Sequence, residues 1–246
     1  SEKNIRVEWG KKFVRVLSES GNKVKWEFAD GTVGEATSLI GADGIHSRVR
    51  KYLYPEIEPQ FAGHIAVTAP ALTSKLNIPE GCQLPVTLMS RDHNAVMLLP
   101  FQPDGSEVVV AKQTLHSDLG RDGWKSLIDN QEWCIDFLRE DAEKFPPYVA
   151  TAVANLMPEK LNVWPFYVVP KLDAWVSEQG SVAILGDAAH AIPPSTGQGA
   201  NQGFEDAYTY ALILAQCPLE KLGATLRRWK IGRQERIDRL LELADW

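Results

Sequence analysis

Long apolar runs and an excess of basic residues are both missing from this 246-residue sequence. A membrane helix needs about 20 consecutive apolar residues, and none occurs; nor does a charged-then-apolar signal segment open the chain. Lys and Arg number 26 against 32 Asp and Glu, a net charge of -6, which argues against nucleic acid or an anionic membrane surface as a partner. We therefore expect a cytoplasmic protein.

Cysteine is scarce, and histidine is not clustered. Cys82, Cys134 and Cys217 lie far apart with no CxxC pair, so neither a disulfide framework nor a zinc site is indicated. The five histidines show no pair at metal-ligand spacing. We expect free thiols and no metal.

Two common motifs of catalysis and nucleotide binding are absent. There is no G-x-S-x-G elbow, and Ser195 has no His and acid in a recognisable hydrolase arrangement. There is no G-x-G-x-x-G either, because the glycines of GQGANQG at 197–203 have a different spacing. The sequence thus assigns no catalytic side chain.

What is present is an alternation of strands and helices. Apolar and polar residues alternate in short segments before an Asp30-Gly31 turn and again in the middle of the chain, where Asp104-Gly105 predicts a hairpin. The predicted strands are 5–9, 13–17, 24–28, 38–40, 64–69, 84–89, 95–100, 107–113, 163–169 and 182–185. Helical spacing covers 121–144, 148–156, 203–216 and 219–246. The middle strands predict an antiparallel sheet.

The first motif is GADGIHSRVR at 41–50. It follows a short apolar strand and presents Asp43 at the carboxyl end of that strand, where open α/β sheets hold ligands. Ser47 is placed to cap the next helix, and Arg48 and Arg50 to meet phosphate or carboxylate. The alternative is an ordinary strand-to-helix turn with a solvated basic end.

The second motif is Ser181–Ala207, SVAILGDAAHAIPPSTGQGANQGFEDA. Val182–Leu185 predicts a strand that runs into Gly186-Asp187, followed by a Pro-Pro loop and a glycine-spaced helix start. This order places a carboxylate at a strand end and a helix N-terminus beside it. Glycines at a helix start also arise from packing alone, but together the two motifs indicate a cofactor site.

Together the motifs resemble the DG and GD motifs of class A flavoprotein monooxygenases of the aromatic hydroxylase type, which have the para-hydroxybenzoate hydroxylase fold. The resemblance implies an α/β (α+β) protein with a partial FAD-binding domain at 1–59 and 165–246. It also implies an inserted antiparallel-sheet substrate-binding domain at 60–164, and C-terminal helices.

The resemblance implies roles at the matching positions. Asp187 would hydrogen-bond the ribityl chain of FAD, Asp43 and Arg50 would help to hold the FAD region, and His190 would be structural. Gly186 would also belong to the cofactor site, and the flavin ring would face the backbone of the segment Pro194, Gly197, Gln198, Gly199, Ala200 and Asn201. The candidates for substrate contact, with core packing as the alternative for each, are Val86, Leu88, Met97, Leu99 and Phe166.

The implied chemistry is flavin reduction by NADH or NADPH, formation of a flavin C4a-hydroperoxide with O2, and oxygen transfer. The product would be a hydroxylated or epoxidised small molecule, aromatic or polycyclic. The protein would supply position, dryness and electrostatics, because the flavin carries the chemistry.

The sequence departs from this family in lacking the βαβ unit with G-x-G-x-x-G, whose backbone binds the FAD pyrophosphate. Without it the motif strands would expose a sheet edge and apolar surface. Three explanations stay open. The chain is a piece of a complete monooxygenase, or it is complemented by another chain that supplies the missing strands. Alternatively, it is a shortened relative without FAD that catalyses a non-redox cyclisation or isomerisation, or only binds a ligand.

Overall fold

A computed structural model describes residues 5–21, 23–90 and 95–244. The described strands are β1 (Phe13–Ser20), β2 (Lys23–Phe28), β3 (Val33–Ala36), β4 (Leu39–Gly41), β5 (Gln60–Leu72), β6 (Val86–Met89), β7 (Ala95–Pro100), β8 (Glu107–Leu115), β9 (Asn162–Val168) and β10 (Val182–Ile184). The helices are α1 (Arg48–Leu53), α2 (Gly120–Asp129), α3 (Gln131–Arg139), α4 (Pro147–Ala154), α5 (Asp187–His190), α6 (Gly199–Gln216) and α7 (Leu219–Ala244). None of the described helices is both long and apolar enough to span a membrane.

The chain divides into two compact units. The first unit comprises the residues up to Gln60 together with those from Tyr167 onward, and the second unit is Phe61–Phe166. The first unit contains an antiparallel sheet in the order β1-β2-β3 and a parallel pair of strands, β10-β4. The second unit is built on one five-stranded sheet in the order β6-β7-β8-β5-β9.

In the first unit, helix α1 lies very close to strand β4. A Cβ atom on Gly41 would lie 2.5 Å from the Cβ of Val49, so the glycine of the first motif allows this approach. Val49 belongs to a core that includes Trp175, Val182 and Ile184.

The predicted strand at 5–9 is wrong: residues 5–8 form no strand, and Trp9 is 90% exposed at a turn.

The second unit buries one face of its sheet under helices α2, α3 and α4. Apolar side chains of the strands, such as Val67, Leu98 and Val110, share a core with Leu138 of α3 and Val149 of α4. The alternation of apolar residues along each strand produces this buried face, since successive side chains project to opposite sides of a sheet.

The single helix predicted over 121–144 is wrong, because Asn130 interrupts it. Asn130 has φ -82° and ψ 70°, outside the helical region, and its side-chain oxygen accepts a hydrogen bond from the Trp133 amide. Asn favours such N-cap positions because its side chain competes for backbone donors. Helix α6 also differs from its prediction, since it begins at Gly199 instead of Gly203.

A buried lysine links the sheet of the second unit to helix α3. Lys112 on β8 is 1% exposed, and its Nζ donates to the carbonyl oxygens of Phe137 (2.8 Å) and Glu140 (2.9 Å). The ammonium also lies 4.8 Å from the centre of the Phe137 ring. Burial lowers the pKa of Lys112, against the opposing effect of Glu140 and Asp141. Lys112 therefore satisfies the last carbonyls of α3 from within the core.

We expect Lys112→Ala to lower the free energy of unfolding by about 2–4 kcal/mol, because it leaves a cavity and removes the donor from two carbonyls. Urea unfolding followed by circular dichroism measures this change. Lys125→Ala, at an exposed position of α2, is the control and should change the free energy by less than about 0.5 kcal/mol. Equal stability of the two variants would contradict the structural role of Lys112.

Candidate active site

The two motifs meet at one edge of the parallel strand pair. Strands β4 and β10 run side by side with Gly41 opposite Ile184. Asp43 and Asp187 follow these paired positions by only a few residues. Since the carboxyl ends of parallel strands meet at the same edge of a sheet, the structure brings both acidic residues to that edge.

In the first motif, Asp43 and Ser47 cap helix α1. The Asp43 carboxylate accepts hydrogen bonds from the Ser47 hydroxyl (2.5 Å) and the Arg48 amide (2.8 Å), and the Ser47 oxygen accepts one from the Arg50 amide (2.9 Å). The predicted capping role of Ser47 is thereby confirmed. Asp43 is exposed, but its carboxylate already serves the backbone of its own motif.

Arg50 occupies a different position from the one expected of a cofactor contact. Its side chain is fully buried, and its guanidinium donates to the carbonyl oxygens of Ala188 (3.0 Å) and Ile45 (2.6 Å). Burial lowers the pKa of Arg50, which the negative charges of Asp43 and Glu58 oppose. Arg50 therefore joins the first motif to the second from inside the fold, and the expected contact with phosphate or carboxylate is corrected.

We expect Arg50→Lys to lower the free energy of unfolding by about 2–4 kcal/mol, because an ammonium group cannot reproduce a guanidinium that joins two carbonyls. Chemical denaturation measures this difference. Arg48→Lys is the matched control, since the Arg48 side chain is exposed and, among the described residues, donates one hydrogen bond, to the Phe13 carbonyl. Comparable losses in both variants would show that Arg50 has no special structural role.

Asp187 and the segment that follows it are open to solvent. The Asp187 side chain is exposed and makes no hydrogen bond to any residue that the structure describes. The residues Pro194, Gly197, Gln198, Gly199, Ala200 and Asn201 are likewise exposed or half-buried. No side chain caps the N-terminus of α6, and Gly197 adopts a left-handed conformation with φ 61° just before it. A free carboxylate and free helix amides thus lie in one segment.

Behind this segment lies a buried ionic network that the sequence did not predict. Asp206 on α6 is fully buried and accepts hydrogen bonds from His190 Nε2 (2.5 Å), Arg233 Nε (2.6 Å) and the Gly186 amide (2.9 Å). Arg233 also donates to Glu205 (2.6 Å). The expectation that His190 is structural is confirmed, since its ring is bonded within the motif and buried.

The sequence does contain a signal for Asp206. Gln202, Asp206 and Tyr210 are spaced four residues apart and form the buried face of α6. Phe204, Tyr208 and Leu212 have the same spacing on the exposed face. An amphipathic helix ordinarily buries its apolar stripe, whereas here two polar residues, Gln202 and Asp206, lie on the buried face together with Tyr210.

Ionised Asp206 is favoured by its donors. Burial alone would raise the pKa of Asp206, but the hydrogen bonds from His190, Arg233 and the Gly186 amide hold the pKa below its usual value of 3.8. The Arg233 guanidinium compensates the buried charge, and Arg236 pairs with Glu205 beside it. The network therefore requires the carboxylate form.

We expect Asp206→Asn to be less stable than the unchanged chain near neutral pH, and the difference to narrow as the pH falls below 3.8. The ionised carboxylate has a lower pKa in the folded state than in the unfolded state. Its stabilisation is therefore complete above the unfolded value and is lost as the pH falls through the folded value. Urea unfolding at a series of pH values measures it. Asp136→Asn, on the exposed side of α3, is the control, and a pH-independent difference would contradict the prediction.

The sheet register separates the five residues that we expected to contact substrate. Val86 pairs with Leu98 and Leu88 with Val96. Directly paired residues project from the same face of a sheet. Leu98 and Val96 are buried in the helix-covered core, and Val86 and Leu88 pack against it. The expectation for Val86 and Leu88 is therefore corrected, because the strand alternation turns both toward the core.

The remaining three residues lie on the opposite face. Met97 and Leu99 alternate with the core residue Leu98 along β7. Phe166 on β9 has its ring 6.1 Å from that of Trp164 and lies an odd number of residues from the core residue Val163. Met97, Leu99 and Phe166 thus share the sheet face that does not carry the helix-side core.

Metal ligands and paired thiols are not part of this arrangement. Within residues 5–21, 23–90 and 95–244, no group of three or more His, Cys, Asp or Glu side chains is placed to hold a metal ion. The three cysteines are free. The polar groups of the site are carboxylates, backbone amides and one buried ionic network.

Comparison with known proteins identifies the class of this site. The chain is 29% identical over 239 residues to the 6-hydroxynicotinate 3-monooxygenase of Bordetella bronchiseptica, which covers 95% of this chain and 58% of that protein. It is 30% identical over 233 residues to the 3-amino-4-hydroxybenzoate 2-monooxygenase of Streptomyces platensis, covering 90% and 52%. The chain thus spans between about half and three fifths of these relatives. Both relatives are named as monooxygenases.

A solved structure and a family profile agree with this class. The crystal structure of Klebsiella pneumoniae HpxO with FAD and uric acid superimposes with a TM-score of 0.72 at 25% identity, covering 96% of this chain and 57% of that one. Residues 2–239 match the FAD binding domain family, and the chain belongs to that family. The predicted fold, a para-hydroxybenzoate hydroxylase fold, is confirmed.

Proposed function

We propose that this chain is part of an FAD-dependent monooxygenase that uses NADH or NADPH and O2 to hydroxylate or epoxidise a small aromatic molecule. One observation carries the proposal. In a chain of the FAD-binding family, the free Asp187 carboxylate and the uncapped start of α6 lie in one exposed segment at the edge where both motif strands end. The first unit is the FAD-binding part, and the second unit is the substrate-binding part.

The donor and acceptor groups of the segment fit FAD. The Asp187 carboxylate is a free acceptor for the hydroxyl groups of a ribityl chain. The first amides of α6 offer donors and the positive end of a helix dipole. Gly197 and Gly199 have no atom within 4 Å of the position that a Cβ would occupy, so a flat ring can approach the backbone there.

Bound FAD would supply the redox chemistry, accepting hydride from the nicotinamide and activating O2. The residues of this chain bind, orient and stabilise charge. The α6 amides favour negative charge on a ring placed before them, and Asp187 fixes the position of the chain attached to that ring. No protein nucleophile is needed for this role.

The relatives support a hydroxylated aromatic ring as substrate. Their names specify 6-hydroxynicotinate and 3-amino-4-hydroxybenzoate, and both are rings that carry a hydroxyl and a carboxylate. In the second unit the half-buried apolar side chains of Met97 and Leu99 are suited to contact such a ring, whereas Phe166 on the same face is only 2% exposed. We therefore propose a small hydroxylated aromatic acid as the substrate class.

The exposed apolar face of α6 supports the proposal that a further segment packs against the first unit in the functional protein. Phe204 is 74% exposed and Tyr208 67%, in line with Leu212. Among the described strands β4 pairs only with β10, which leaves an open edge at the 41% exposed Ile40. Strand β10 is covered on its other side by Trp175–Ser177, contrary to our expectation of open edges at both motif strands. We propose that a nucleotide-binding segment, in cis or on a second chain, packs against α6 and β4.

The three free thiols support a reducing compartment such as the cytoplasm as the location.

A titration of FAD into this chain, with and without an added nucleotide-binding segment of the family, tests the proposal. We expect binding, seen as quenching of flavin fluorescence, to tighten when the segment is present. In that form Asp187→Ala should weaken binding about tenfold or more, because a charged acceptor for the ribityl hydroxyls is lost.

Two controls accompany the titration. Glu178→Ala removes an exposed acid elsewhere in the first unit and should leave FAD affinity unchanged. Phe204→Ser should weaken association with the added segment without loss of folding, since the residue is exposed. A colourless protein that binds no FAD in either form, yet converts a substrate without nicotinamide, would overturn the monooxygenase assignment in favour of a non-redox relative.

A further inference from the structure

The Asp206 carboxylate is the meeting point of three elements. Its Oδ2 accepts from the Gly186 amide, which precedes α5, and from His190 at the end of α5. Its Oδ1 accepts from Arg233 on α7. All three partners come from outside α6, and the carboxylate is fully buried. One side chain thus joins α6 to the turn before Asp187, to α5 and to α7.

The backbone contact beside this carboxylate is equally close. A Cβ on Gly186 would lie 3.5 Å from the Cα of Gly203, one helical turn before Asp206. Gly186 has φ 55° and ψ -139°, a conformation that side-chain-bearing residues avoid. Its amide is directed to Asp206, and the next residue is Asp187. The direction of the Asp187 side chain therefore depends on a peptide that Asp206 holds.

We propose that Asp206 is a positioning residue of the flavin site. Through Gly186 and His190 it fixes the position of the Asp187 carboxylate relative to the first turn of α6, so that both groups can contact the same ligand. This inference rests on the proposed function, and it adds to it a residue that does not itself contact the cofactor.

The chemistry of the site explains why a carboxylate is required. Two oxygens, both acceptors, receive three N–H donors from opposite sides. In Asp206→Asn we expect the single side-chain oxygen to face the charged Arg233 guanidinium, so that the NH2 group opposes the N–H donor of Gly186. The variant keeps the shape of the side chain and loses the link between α6 and the turn.

Amide hydrogen exchange of the chain without ligand tests the positioning directly. We expect the Gly186 amide to exchange about tenfold faster in Asp206→Asn, relative to the amides of the central strand β2 in the same unit, because its acceptor is lost. His190→Gln, which removes a single donor, should show a smaller acceleration. Leu226→Ala is the control: it removes a fully buried side chain of α7 outside the network and should accelerate the amides of Gly186 and β2, which lie in the same unit, together. If the exchange rate of the Gly186 amide relative to the reference amides is the same in Asp206→Asn as in the unchanged chain, the proposal is wrong.

A double-mutant cycle on FAD affinity provides the second measurement, in the form of the protein that binds FAD. If Asp206 acts through Asp187, adding Asp187→Ala to Asp206→Asn should weaken binding far less than Asp187→Ala does alone. Additive effects would count against positioning. If Asp187→Ala alone leaves FAD affinity unchanged, the proposed flavin site is wrong, and the exchange of the Gly186 amide then decides the positioning role by itself.

Discussion

The buried Asp206 carboxylate is the interaction on which the arrangement of the first unit's site depends. It joins α6 to the turn at Gly186, to α5 through His190 and to α7 through Arg233. A buried charge is costly unless it is paired and hydrogen-bonded, and here three donors and a guanidinium meet that requirement. Arg50 plays a parallel part from the first motif, since it donates to Ala188 in α5. Two buried charged side chains thus hold both motifs around α5.

Helix α6 takes part in this network and therefore differs from an ordinary amphipathic helix. Its buried face carries Gln202 and Asp206, while Phe204 and Tyr208 are exposed. A helix that turns polar groups inward gains a specific orientation, because only one rotation satisfies the hydrogen bonds. The exposed apolar side chains of α6 are suited to packing against another segment. The open edge of β4 is suited to the same kind of contact. The same helix thus supports both the cofactor assignment and the proposal of a complementing segment.

Sequence patterns predicted the elements better than they predicted contacts. Most strands and helices followed from periodicity, but Asn130 divided one predicted helix by capping the next. Residues 5–9 were expected to form a strand because their composition is suitable, yet they join none of the described sheets. Among the substrate candidates, Val86 and Leu88 turn to the helix side, since alternation alone does not say which face is covered.

The sequence by itself determined the family, the two motifs, the fold class and the position of Asp187 at the end of a strand, because these depend on local order: strand, glycine, acid, loop, helix start. Only the tertiary structure decided what Arg50 and Asp206 do. Arg50 contacts a carbonyl 138 positions away, and Asp206 contacts partners 16 and 27 positions away on other elements. The physical reason is that the sequence shows only that a side chain is charged. Chain folding alone determines whether that charge contacts solvent, a ligand or a buried partner.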